Sequence, residues 1–257
     1  MTPDPTLHGE RRVMFLTGGS RGIGAGVVTA AAAAGFDVAF TYRERQDAAD
    51  AVVAATPAAA PAVRCRAYQL DVRDSAAVDR VGEQVLDDFD TVHVVVANAA
   101  VTRAGLAFST SDDDWKDVLD TNLNGAFYVA RQFLPAFLAN GFGRFIFMSS
   151  IAAQGMSGDV AYSASKAGLL GLSSALAKEY GRKGITSNAL LLSLFETEMT
   201  LKELSAQNRD FYAKHCPVGR AGHVGEAAAA VLFLASDGAS FVNGQALGVT
   251  GGLDWLH

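Results

Sequence analysis

The sequence predicts an α/β fold in which one doubly wound parallel sheet carries helices on both faces. Short apolar runs alternate with longer stretches of helical periodicity along the chain. The apolar runs are continuous, which is typical of strands that are buried on both faces of a parallel sheet. Right-handed crossovers between such strands give the doubly wound arrangement. Of the 257 residues, 50% are hydrophobic and 19% are charged, a composition that supports a large core.

In the first half of the chain, strand and helix alternate regularly. Continuous apolar runs predict strands at Val13–Thr17, Val38–Tyr42, Val63–Leu70 and Val92–Ala97. The longer stretches between them predict helices at Gly22–Ala34, Gln46–Ala55 and Ser75–Asp87. Two prolines in Thr56–Ala62 predict a loop, since a proline lacks the N–H that helices and strands use.

The second half continues this alternation. A long helix is predicted over Asp112–Leu138, with a bend near Pro135. The later elements are, in chain order, the strand Arg144–Ser149, the helix Ala161–Tyr180, the strand Ile185–Leu191, an irregular polar segment over Thr197–Pro217, the helix Val224–Ser236 and the strand Ala246–Val249. No repeat or linker divides the chain, so we predict a flexible arm over residues 1–10 and a single domain over residues 11–257.

Charge and cysteine content exclude several classes of protein. The net charge is -6 and no long basic run occurs, which argues against a nucleic-acid partner. Cys65 and Cys216 lie far apart without metal-ligand spacing, so we expect free thiols in a reducing cytoplasm and no metal site. The chain shows neither a signal peptide nor a run of about 18 apolar residues, and we therefore expect a cytoplasmic protein without a membrane partner.

A glycine-rich loop follows the first predicted strand and reads Thr17-Gly18-Gly19-Ser20-Arg21-Gly22-Ile23-Gly24. Glycines allow a tight turn and a close approach of the backbone to a phosphate, and the next helix directs its free N–H groups at the same point. We therefore predict that a dinucleotide is bound by Gly18, Ser20, Arg21, Gly22, Ile23 and Gly24. The alternative is a glycine turn that binds no ligand.

The residues after the second predicted strand bear on the choice of cofactor. NAD-selective sites commonly carry an acidic residue there, whereas this chain reads Phe40-Thr41-Tyr42-Arg43. The guanidinium groups of Arg43 and Arg21 suit a 2′-phosphate, which predicts NADPH (NADP+) as the cofactor. Two solvated surface arginines are the alternative, and the adjacent Glu44 is the feature that favours NADH.

Tyr162 and Lys166 are four residues apart and share one face of the predicted helix. A tyrosine with its ordinary pKa of about 10 is a poor proton donor near neutrality, and a neighbouring ammonium lowers that pKa. The pair therefore predicts acid–base catalysis. A half-buried tyrosine beside a surface lysine is the alternative.

Two further polar residues are candidates for the same site. Ser150 follows the strand Arg144–Ser149, at the edge where parallel sheets bind ligands, and its hydroxyl is predicted to bind a substrate carbonyl oxygen. Asn122 lies within the long predicted helix, where asparagine is unfavourable. Its presence there indicates either a functional role or a kink.

Taken in order, these motifs resemble the short-chain dehydrogenase/reductase family over nearly the whole chain. They are the TGxxxGIG loop, Asp71-Val72, Asn98-Ala99, Asn122, a serine before Tyr-x-x-x-Lys and Gly251-Gly252. The likeness is greatest to 3-oxoacyl-acyl-carrier-protein reductases and polyketide ketoreductases. It implies a Rossmann-like dinucleotide-binding oxidoreductase domain, NADPH-dependent reduction of a ketone to a secondary alcohol, and a homotetramer with 222 symmetry.

The resemblance also implies contacts with the cofactor. Asp71 and Val72 would lie beside the adenine, Asn98 and Ala99 would line the cofactor cleft, and Thr197 would touch the nicotinamide carboxamide. An aspartate at a strand end can equally cap the helix that follows, and this alternative stays open for Asp71.

The catalytic roles that the resemblance implies involve four residues. Tyr162 protonates the alkoxide that forms as hydride reaches the carbonyl carbon, and Ser150 stabilises that alkoxide. Lys166 holds the nicotinamide ribose, and Asn122 holds a water against Lys166 that relays protons toward Tyr162.

The chain departs from the family pattern at three points. Ala97-Asn98-Ala99-Ala100 replaces Asn-Asn-Ala-Gly, and Leu192-Ser193 replaces Pro-Gly. The interval to Tyr162 is one residue shorter than usual, so the usual spacing selects Ser149, whereas the second serine of the family's Ser-Ser pattern is Ser150. The altered motifs would fit a non-catalytic dinucleotide-binding sensor or scaffold, but such a protein has no need of all four catalytic residues.

The leading substrate that we predict is a β-ketoacyl chain on an acyl carrier protein, in fatty-acid-like or polyketide biosynthesis. An acidic carrier needs basic groups near the cleft, and the candidates are Arg144, Arg103 and the pair Arg182-Lys183. A free polyketide-like or cyclic ketone is the alternative small-molecule substrate. The apolar segment Val224–His257 is predicted to be buried against another subunit of the homotetramer.

Overall fold

The computed structural model describes residues 6–7, 10–59, 62–197, 200 and 205–253. Its main sheet has seven parallel strands in the spatial order β5-β4-β3-β6-β7-β8-β9. These strands are β3 (Val13–Leu16), β4 (Asp37–Tyr42), β5 (Cys65–Gln69), β6 (Val94–Ala97), β7 (Gly143–Ser150), β8 (Ile185–Leu192) and β9 (Ala246–Val249). The strand order turns back between β3 and β6, as in a doubly wound sheet, so the predicted fold class is confirmed.

Helices cover both faces of this sheet. They are α1 (Gly22–Ala33), α2 (Gln46–Ala59), α3 (Ser75–Phe89), α4 (Asp112–Leu119), α5 (Gly125–Asn140), α6 (Val160–Tyr180), α7 (Ala206–His215) and α8 (Val224–Ala235). One core lies between the sheet, α1 and α8, with Val27 and Val231 among its members. The other lies between the sheet, α3 and α5, and contains Phe89 and Phe133. Two separate cores explain why the central strands are apolar at every position.

The helix α2 is longer than the sequence predicts. Thr56, predicted to begin a loop, is buried within the helix, and its hydroxyl donates to the carbonyl of Val52 at 3.0 Å. Pro57 falls in the last turn of the helix, where its missing N–H costs one hydrogen bond at most. The predicted loop Thr56–Ala62 is therefore wrong for its first four residues, while residues 60–61 lie outside the described part.

Two predictions for the second half are also wrong in detail. The long helix over Asp112–Leu138 is interrupted by a π turn at Asp120–Asn124. This irregularity precedes the predicted bend, and Pro135 lies within the continuous α5. The segment Thr197–Pro217, predicted to be irregular, contains α7; its composition is polar because much of this helix faces solvent.

At the N-terminus, β1 (Thr6–Leu7) pairs antiparallel with β2 (Glu10–Arg11). The rest of the predicted flexible arm, residues 1–5 and 8–9, lies outside the described residues, as do residues 254–257. Among the described residues, no helix combines the length and the apolar character that crossing a membrane requires.

Candidate active site

A cavity of about 440 Å³ opens at the carboxyl edge of the sheet. The strands β3, β4, β6, β7 and β8 all end at its wall. The predicted site residues that line it are Gly18, Arg21, Gly22, Ile23, Gly24, Arg43, Asp71, Val72, Asn98, Ala99, Ser150, Tyr162, Lys166 and Thr197. Ser20 and Asn122 are not part of its lining. Residues that are separated by more than 170 positions in the sequence thus meet in one cleft.

The glycine loop is held in shape by its neighbours. A Cβ atom on Gly24 would lie 2.1 Å from the carbonyl oxygen of Gly18, so only glycine fits this position. Gly18 itself has a φ of +71°, a conformation that glycine adopts readily. The Asn98 amide donates to the carbonyl oxygens of Thr17 and Gly18 at 2.9 and 3.0 Å. Asn98 therefore braces the loop, in addition to lining the cleft.

The first turn of α1 faces the cavity without a side-chain cap. Arg21 is the residue before the helix, and its side chain forms no capping hydrogen bond. Gly22, Ile23 and Gly24 follow and line the cavity. The free N–H groups of a first helical turn bind anions, and the positive end of the helix dipole favours a negative charge. The close backbone contact at Gly24 and this uncapped turn together fit the pyrophosphate of a dinucleotide.

Two arginines at the cleft differ in how they are paired. The Arg43 side chain donates from Nε to Glu44 at 2.8 Å, and both side chains are exposed. Arg21 is exposed, and within the described part of the chain no carboxylate forms a salt bridge with it. Glu44 therefore competes for the charge of Arg43, and Arg21 is the arginine whose charge is available to a ligand.

Asp71 is held by a neighbouring arginine at the end of β5. Its carboxylate accepts a hydrogen bond from Arg73 Nε at 2.9 Å, and this bond is the main reason why the pKa of Asp71 is lowered. Arg73 in turn binds Asp117 at 2.6 Å. The cap of α3 is supplied by Asp74, which accepts from the Ala77 N–H at 3.1 Å. Asp74, rather than Asp71, therefore caps the helix that follows β5.

Tyr162 and Lys166 face the cavity from the first turns of α6. The Lys166 ammonium lies 5.4 Å from the centre of the Tyr162 ring and donates to the Met148 carbonyl at 2.7 Å. Lys166 is only 3% exposed, and burial lowers its pKa to about 8. In the described part of the chain no carboxylate lies within salt-bridge distance of this buried amine. The site therefore holds a positive charge that the Met148 carbonyl stabilises but that no carboxylate of the described residues neutralises.

The two serines at the end of β7 are in different environments. The Ser149 hydroxyl is buried and donates to the Lys166 carbonyl at 2.9 Å. Ser150 is partly exposed, and its hydroxyl oxygen accepts from the Ala152 N–H at 3.1 Å. Because that oxygen acts as an acceptor in this bond, the Ser150 proton stays available to a ligand.

Asn122 lies behind the cavity wall, in the π turn between α4 and α5. Its side chain is buried and exchanges hydrogen bonds with the backbone of Val101, at 2.8 Å to the N–H and 2.9 Å to the carbonyl. It also donates to the Ser165 hydroxyl at 3.1 Å. The helix is irregular at Asn122, and the side chain links a wall residue to the helix of Tyr162. The predicted role of Asn122 in holding a water against Lys166 stays a prediction.

The altered family segments have local explanations. Leu192 extends β8 by one residue beyond the predicted strand and pairs with Val249 in β9, while Ser193 donates to the Thr250 carbonyl at 3.1 Å. Ala100 adds a methyl group to the cavity wall. Thr197 exchanges hydrogen bonds with Thr200, so its hydroxyl is engaged within the wall.

Among the residues that the sequence analysis did not assign to the site, Thr17, Thr41 and Met148 hold it in shape. The Thr17 hydroxyl accepts from the N–H groups of Asn98 and Ala99, both at 3.0 Å, and the Thr41 carbonyl accepts from the Gly19 N–H. Met148 supplies the acceptor for Lys166. Thr17 stands at the start of the glycine motif and was recognisable there, but the other two act through backbone atoms, which no side-chain motif reveals.

The basic residues expected to guide an acidic carrier lie elsewhere or are neutralised. Arg144 is 3% exposed and sits near the amino edge of the sheet, at the start of β7. Arg182 and Lys183 follow α6 and precede β8, which also begins at that edge. Arg103 lies beyond β6 but pairs with Asp117 at 2.6 Å. The carrier-docking role that the sequence suggested for these residues is therefore not supported by their positions.

Comparison with known proteins identifies relatives over almost the entire chain. The model of the family described as enoyl-(acyl carrier protein) reductase matches residues 18–254. A 3-oxoacyl-(acyl-carrier-protein) reductase of Escherichia coli is 35% identical over 248 residues, 96% of this chain and 99% of that protein. An acetoacetyl-CoA reductase of Rhizobium meliloti is 38% identical over 243 residues, 94% of this chain and 98% of that protein.

A solved structure is similar as well. A protein from Sinorhizobium meliloti described as a short-chain alcohol dehydrogenase superposes with a TM-score of 0.88 at 29% sequence identity. The match covers 94% of this chain and 95% of that one.

Proposed function

The chain belongs to the short-chain dehydrogenase/reductase family of oxidoreductases, and from this membership we propose that it reduces a ketone to a secondary alcohol with NADPH. The observation that carries the proposal is the meeting of Ser150, Tyr162 and Lys166 with the glycine loop in one cavity. When bound, NADPH supplies the hydride that is added to the carbonyl carbon. The residues of the glycine loop would hold its pyrophosphate, and Asp71, Val72, Asn98 and Ala99 would border its adenine half.

Tyr162 is the proposed proton donor. As the carbonyl is reduced, its oxygen gains negative charge, and the Tyr162 hydroxyl transfers a proton to it. The Lys166 ammonium stabilises the phenolate that remains. Because Lys166 is buried and lacks a carboxylate partner in the described part of the chain, its charge acts in a poorly solvated site, where electrostatic effects are strong.

Ser150 and Asn122 support this step in different ways. The Ser150 hydroxyl donates to the carbonyl oxygen, which lowers the cost of the developing charge. The Asn122 side chain is already bound to Val101 and Ser165, so a water held against Lys166 would rely on the backbone of the π turn. Lys166 would also bind the nicotinamide ribose, and Thr197 would lie near the carboxamide.

The preference for NADPH rests on positive charge beside the first turn of α1. Arg21 is exposed and has no salt bridge within the described residues, so it is the stronger candidate for a 2′-phosphate contact. Arg43 would contribute once it leaves Glu44. NADH remains the second candidate, and the pairing of Glu44 with Arg43 is the observation that favours it.

Two substrate classes remain in competition. A β-ketoacyl chain on an acyl carrier protein is supported by the name of the Escherichia coli relative. A free ketone is supported by the positions of the residues that the sequence put forward for docking a carrier, since Arg144 is buried at the amino edge and Arg103 is paired with Asp117. The geometry therefore favours the free ketone over the carrier-bound chain that the sequence put first.

Assembly and location complete the proposal. We propose one oxidoreductase domain after the N-terminal arm, in a cytoplasmic homotetramer. Phe233 and Phe241 are exposed large apolar side chains near the C-terminal end, and we propose that another subunit covers them. Light scattering that found a monomer at micromolar concentration would contradict the tetramer.

The test follows the loss of reduced-nicotinamide absorbance with a panel of ketones and both cofactors. The same ketoacyl group is supplied on a carrier protein and as a short thioester, at low and high salt. Faster reduction of the free form, with no effect of salt, supports the free-ketone proposal. Faster reduction of the carrier-bound form, at a rate that falls as the salt concentration rises, supports the carrier-bound chain as the substrate instead. If no ketone consumes either cofactor, the alternative of a non-catalytic sensor or scaffold replaces the enzyme.

A further inference from the structure

The catalytic cavity has two ends, one on each side of the glycine loop. Tyr162 and Lys166 lie on α6, which packs against β7 and β8, whereas the opposite end is formed where β4 and β5 stop. The glycine loop follows β3, which lies between these strands in the sheet. A dinucleotide with its pyrophosphate at the first turn of α1 and its nicotinamide beside Tyr162 therefore extends its adenosine half over the ends of β4 and β5.

Three consecutive residues after β5 line this end of the cavity: Leu70, Asp71 and Val72. Leu70 and Val72 are buried, and Val72 packs against the start of α5, where a Cβ on Gly125 would lie 2.7 Å from a Val72 methyl group. The Asp71 side chain is 33% exposed. Two apolar side chains that flank one carboxylate fit a purine, which has apolar faces and polar groups along its rim.

Arg73 holds the Asp71 carboxylate through three N–H groups. Its backbone N–H donates to Oδ1 at 3.1 Å, its Nε group is shared between Oδ1 and Oδ2 at 2.9 and 3.1 Å, and its Nη2 group donates to Oδ2. A carboxylate offers about four acceptor positions, so among the described residues one position remains for a ligand. The side-chain bond from Arg73 also lowers the pKa of Asp71, which keeps the carboxylate ionised.

The Arg73 guanidinium is itself held by a second carboxylate, that of Asp117. Arg73 Nη1 donates to Asp117 at 2.6 Å, and the Asp117 side chain, on α4, is only 16% exposed. Arg103, from the loop after β6, binds the other Asp117 oxygen at 2.6 Å. Because a guanidinium is planar and its N–H groups have fixed directions, the carboxylates of Asp71 and Asp117 together set the orientation of Arg73.

We propose that Arg73 is a positioning residue for adenine recognition, which holds Asp71 as an ionised acceptor for the amino group at C6 of the purine. Arg73 and Asp117 are not part of the cavity lining, so both act through Asp71. The inference rests on the proposed dinucleotide binding and adds how the site selects a 6-amino purine. A 6-oxo purine such as hypoxanthine places a carbonyl oxygen at the carboxylate and is disfavoured, because two acceptors then face each other.

The test measures by calorimetry the affinities for NADP+ and for its hypoxanthine analogue, which differ only in the purine base. We expect the wild type to bind NADP+ more tightly by roughly tenfold or more, the range for a hydrogen bond to a charged group. Arg73→Met should lose most of this preference. Asp117→Asn should lower it by a smaller factor, because Arg73 keeps its own bonds to Asp71.

Two results for Arg73→Met would overturn the inference. An unchanged ratio of the two affinities would mean that Asp71 needs no positioning by Arg73. A higher ratio would mean that Arg73 competes with the purine for the carboxylate. A merely structural role of Arg73 would weaken the binding of both dinucleotides together and leave their ratio constant.

Arg80→Met is the matched control. Arg80 lies on α3, where its exposed side chain is 3.9 Å from Asp74 between Nη2 and Oδ2, so the variant removes the same charge without changing a contact of Asp71. The ratio of affinities in this variant should equal that of the wild type. A fall as large as that in Arg73→Met would assign the effect to net charge and overturn the inference.

Asp71→Asn tests whether Arg73 acts through the carboxylate. This variant should lose the preference for adenine, since its amide offers a donor as well as an acceptor. Adding Arg73→Met to it should leave the ratio of affinities unchanged, because the two residues act as one unit. A further fall in the double variant would mean that Arg73 selects the base independently of Asp71, contrary to the inference.

ADP and inosine 5′-diphosphate separate this inference from the proposed ketone reduction, because they lack the nicotinamide and need no turnover. A ratio of ADP affinity to inosine diphosphate affinity that is higher in the wild type than in Arg73→Met supports the inference, even if no ketone consumes NADPH. Equal affinities of the wild type for the two diphosphates overturn the inference and leave ketone reduction to be judged on its own assay.

Discussion

At the amino edge of the sheet, two buried arginines share one carboxylate. Arg12 is 1% exposed and Arg144 is 3% exposed, and their guanidinium groups lie 4.4 and 4.1 Å from the centre of the Phe142 ring. Asp237 accepts hydrogen bonds from Arg12 at 2.9 Å, and Arg144 lies 3.9 Å from the same carboxylate. This cluster joins segments from both ends of the chain.

At the carboxyl edge, one buried lysine has no such carboxylate among the described residues. Lys166 donates to the Met148 carbonyl and keeps its charge at the cavity wall. The comparison shows that burial alone does not define a functional charge. At the amino edge one carboxylate offsets part of the charge of two arginines. At the carboxyl edge no carboxylate of the described residues offsets the charge of Lys166, where a ligand and a proton donor can use it.

The largest effect that separates the two edges is expected for Lys166→Met. Turnover should fall roughly 10²- to 10⁴-fold, the range for losing acid–base assistance. The free energy of unfolding should rise near neutral pH, because the variant no longer buries an ammonium that lacks a carboxylate partner. Steady-state assays and urea unfolding of the same preparations measure the two quantities.

The pH dependence of this stability difference has a definite sign. Burial lowers the pKa of Lys166 from its ordinary value of 10.5 to about 8, so between these values the unfolded chain binds more protons than the folded one. The stability of the wild type relative to Lys166→Met should therefore rise with pH over this window. Below about pH 8 the free energy of unfolding of the variant exceeds that of the wild type by its full amount. An advantage that stays constant from pH 7 to roughly 10.5 would contradict the assigned cause.

The corresponding change at the amino edge is Asp237→Asn. It should lower the free energy of unfolding by about 2–4 kcal/mol, below the value for a fully buried pair because the Asp237 side chain is 56% exposed. The kcat/KM of the folded protein should stay near that of the wild type. Asp79→Asn is the control, since its exposed pair with Arg131 contributes less than about 1 kcal/mol. Equal destabilisation by both variants would remove the special role of the cluster.

A sharper comparison within the carboxyl edge uses its two serines. Ser150→Ala should reduce kcat by roughly 10²- to 10³-fold, as the loss of one oxyanion donor does. Ser149→Ala should reduce it less, because the Ser149 hydroxyl is directed at the Lys166 carbonyl. The reverse order of the two variants would mean that the shortened interval to Tyr162 was aligned incorrectly.

The smallest effect concerns the choice of cofactor. Arg21→Ala should weaken NADPH binding relative to NADH by roughly tenfold, since a charge-assisted contact is worth about 1.5–3 kcal/mol. Glu44→Gln should shift the preference toward NADPH by releasing Arg43. Arg43→Asp should shift it toward NADH. Equal changes in the affinities for both cofactors would refute the phosphate assignment.

The two edges also differ in how far the sequence predicts them. The glycine loop and the Tyr162–Lys166 pair follow from local spacing, which fixes one turn and one helical face. The pairing of Arg12 with Asp237 spans 225 positions and leaves no local signal. Arg144 is an ordinary arginine at a strand start in the sequence, and its burial results from how Phe142 and the chain ends pack.

Within the site, backbone contacts explain most of what the sequence left open. The π turn at Asn122 could not be told from a regular helix with one unfavourable asparagine, because helical periodicity tolerates one extra residue. The bracing of the glycine loop by Asn98 depends on β3 and β6 being neighbours in the sheet. This pairing is tertiary, so no motif that is local to either strand contains it.

The most direct measurement of the central claim is a single-turnover reaction of Tyr162→Phe beside the wild type. With NADPH and a ketone that the wild type reduces, we expect the variant to bind NADPH with near-normal affinity, to keep the wild-type unfolding free energy and to show no measurable loss of reduced-nicotinamide absorbance. Turnover by the variant at a rate close to that of the wild type would contradict the account, because the proton would then come from a group other than Tyr162.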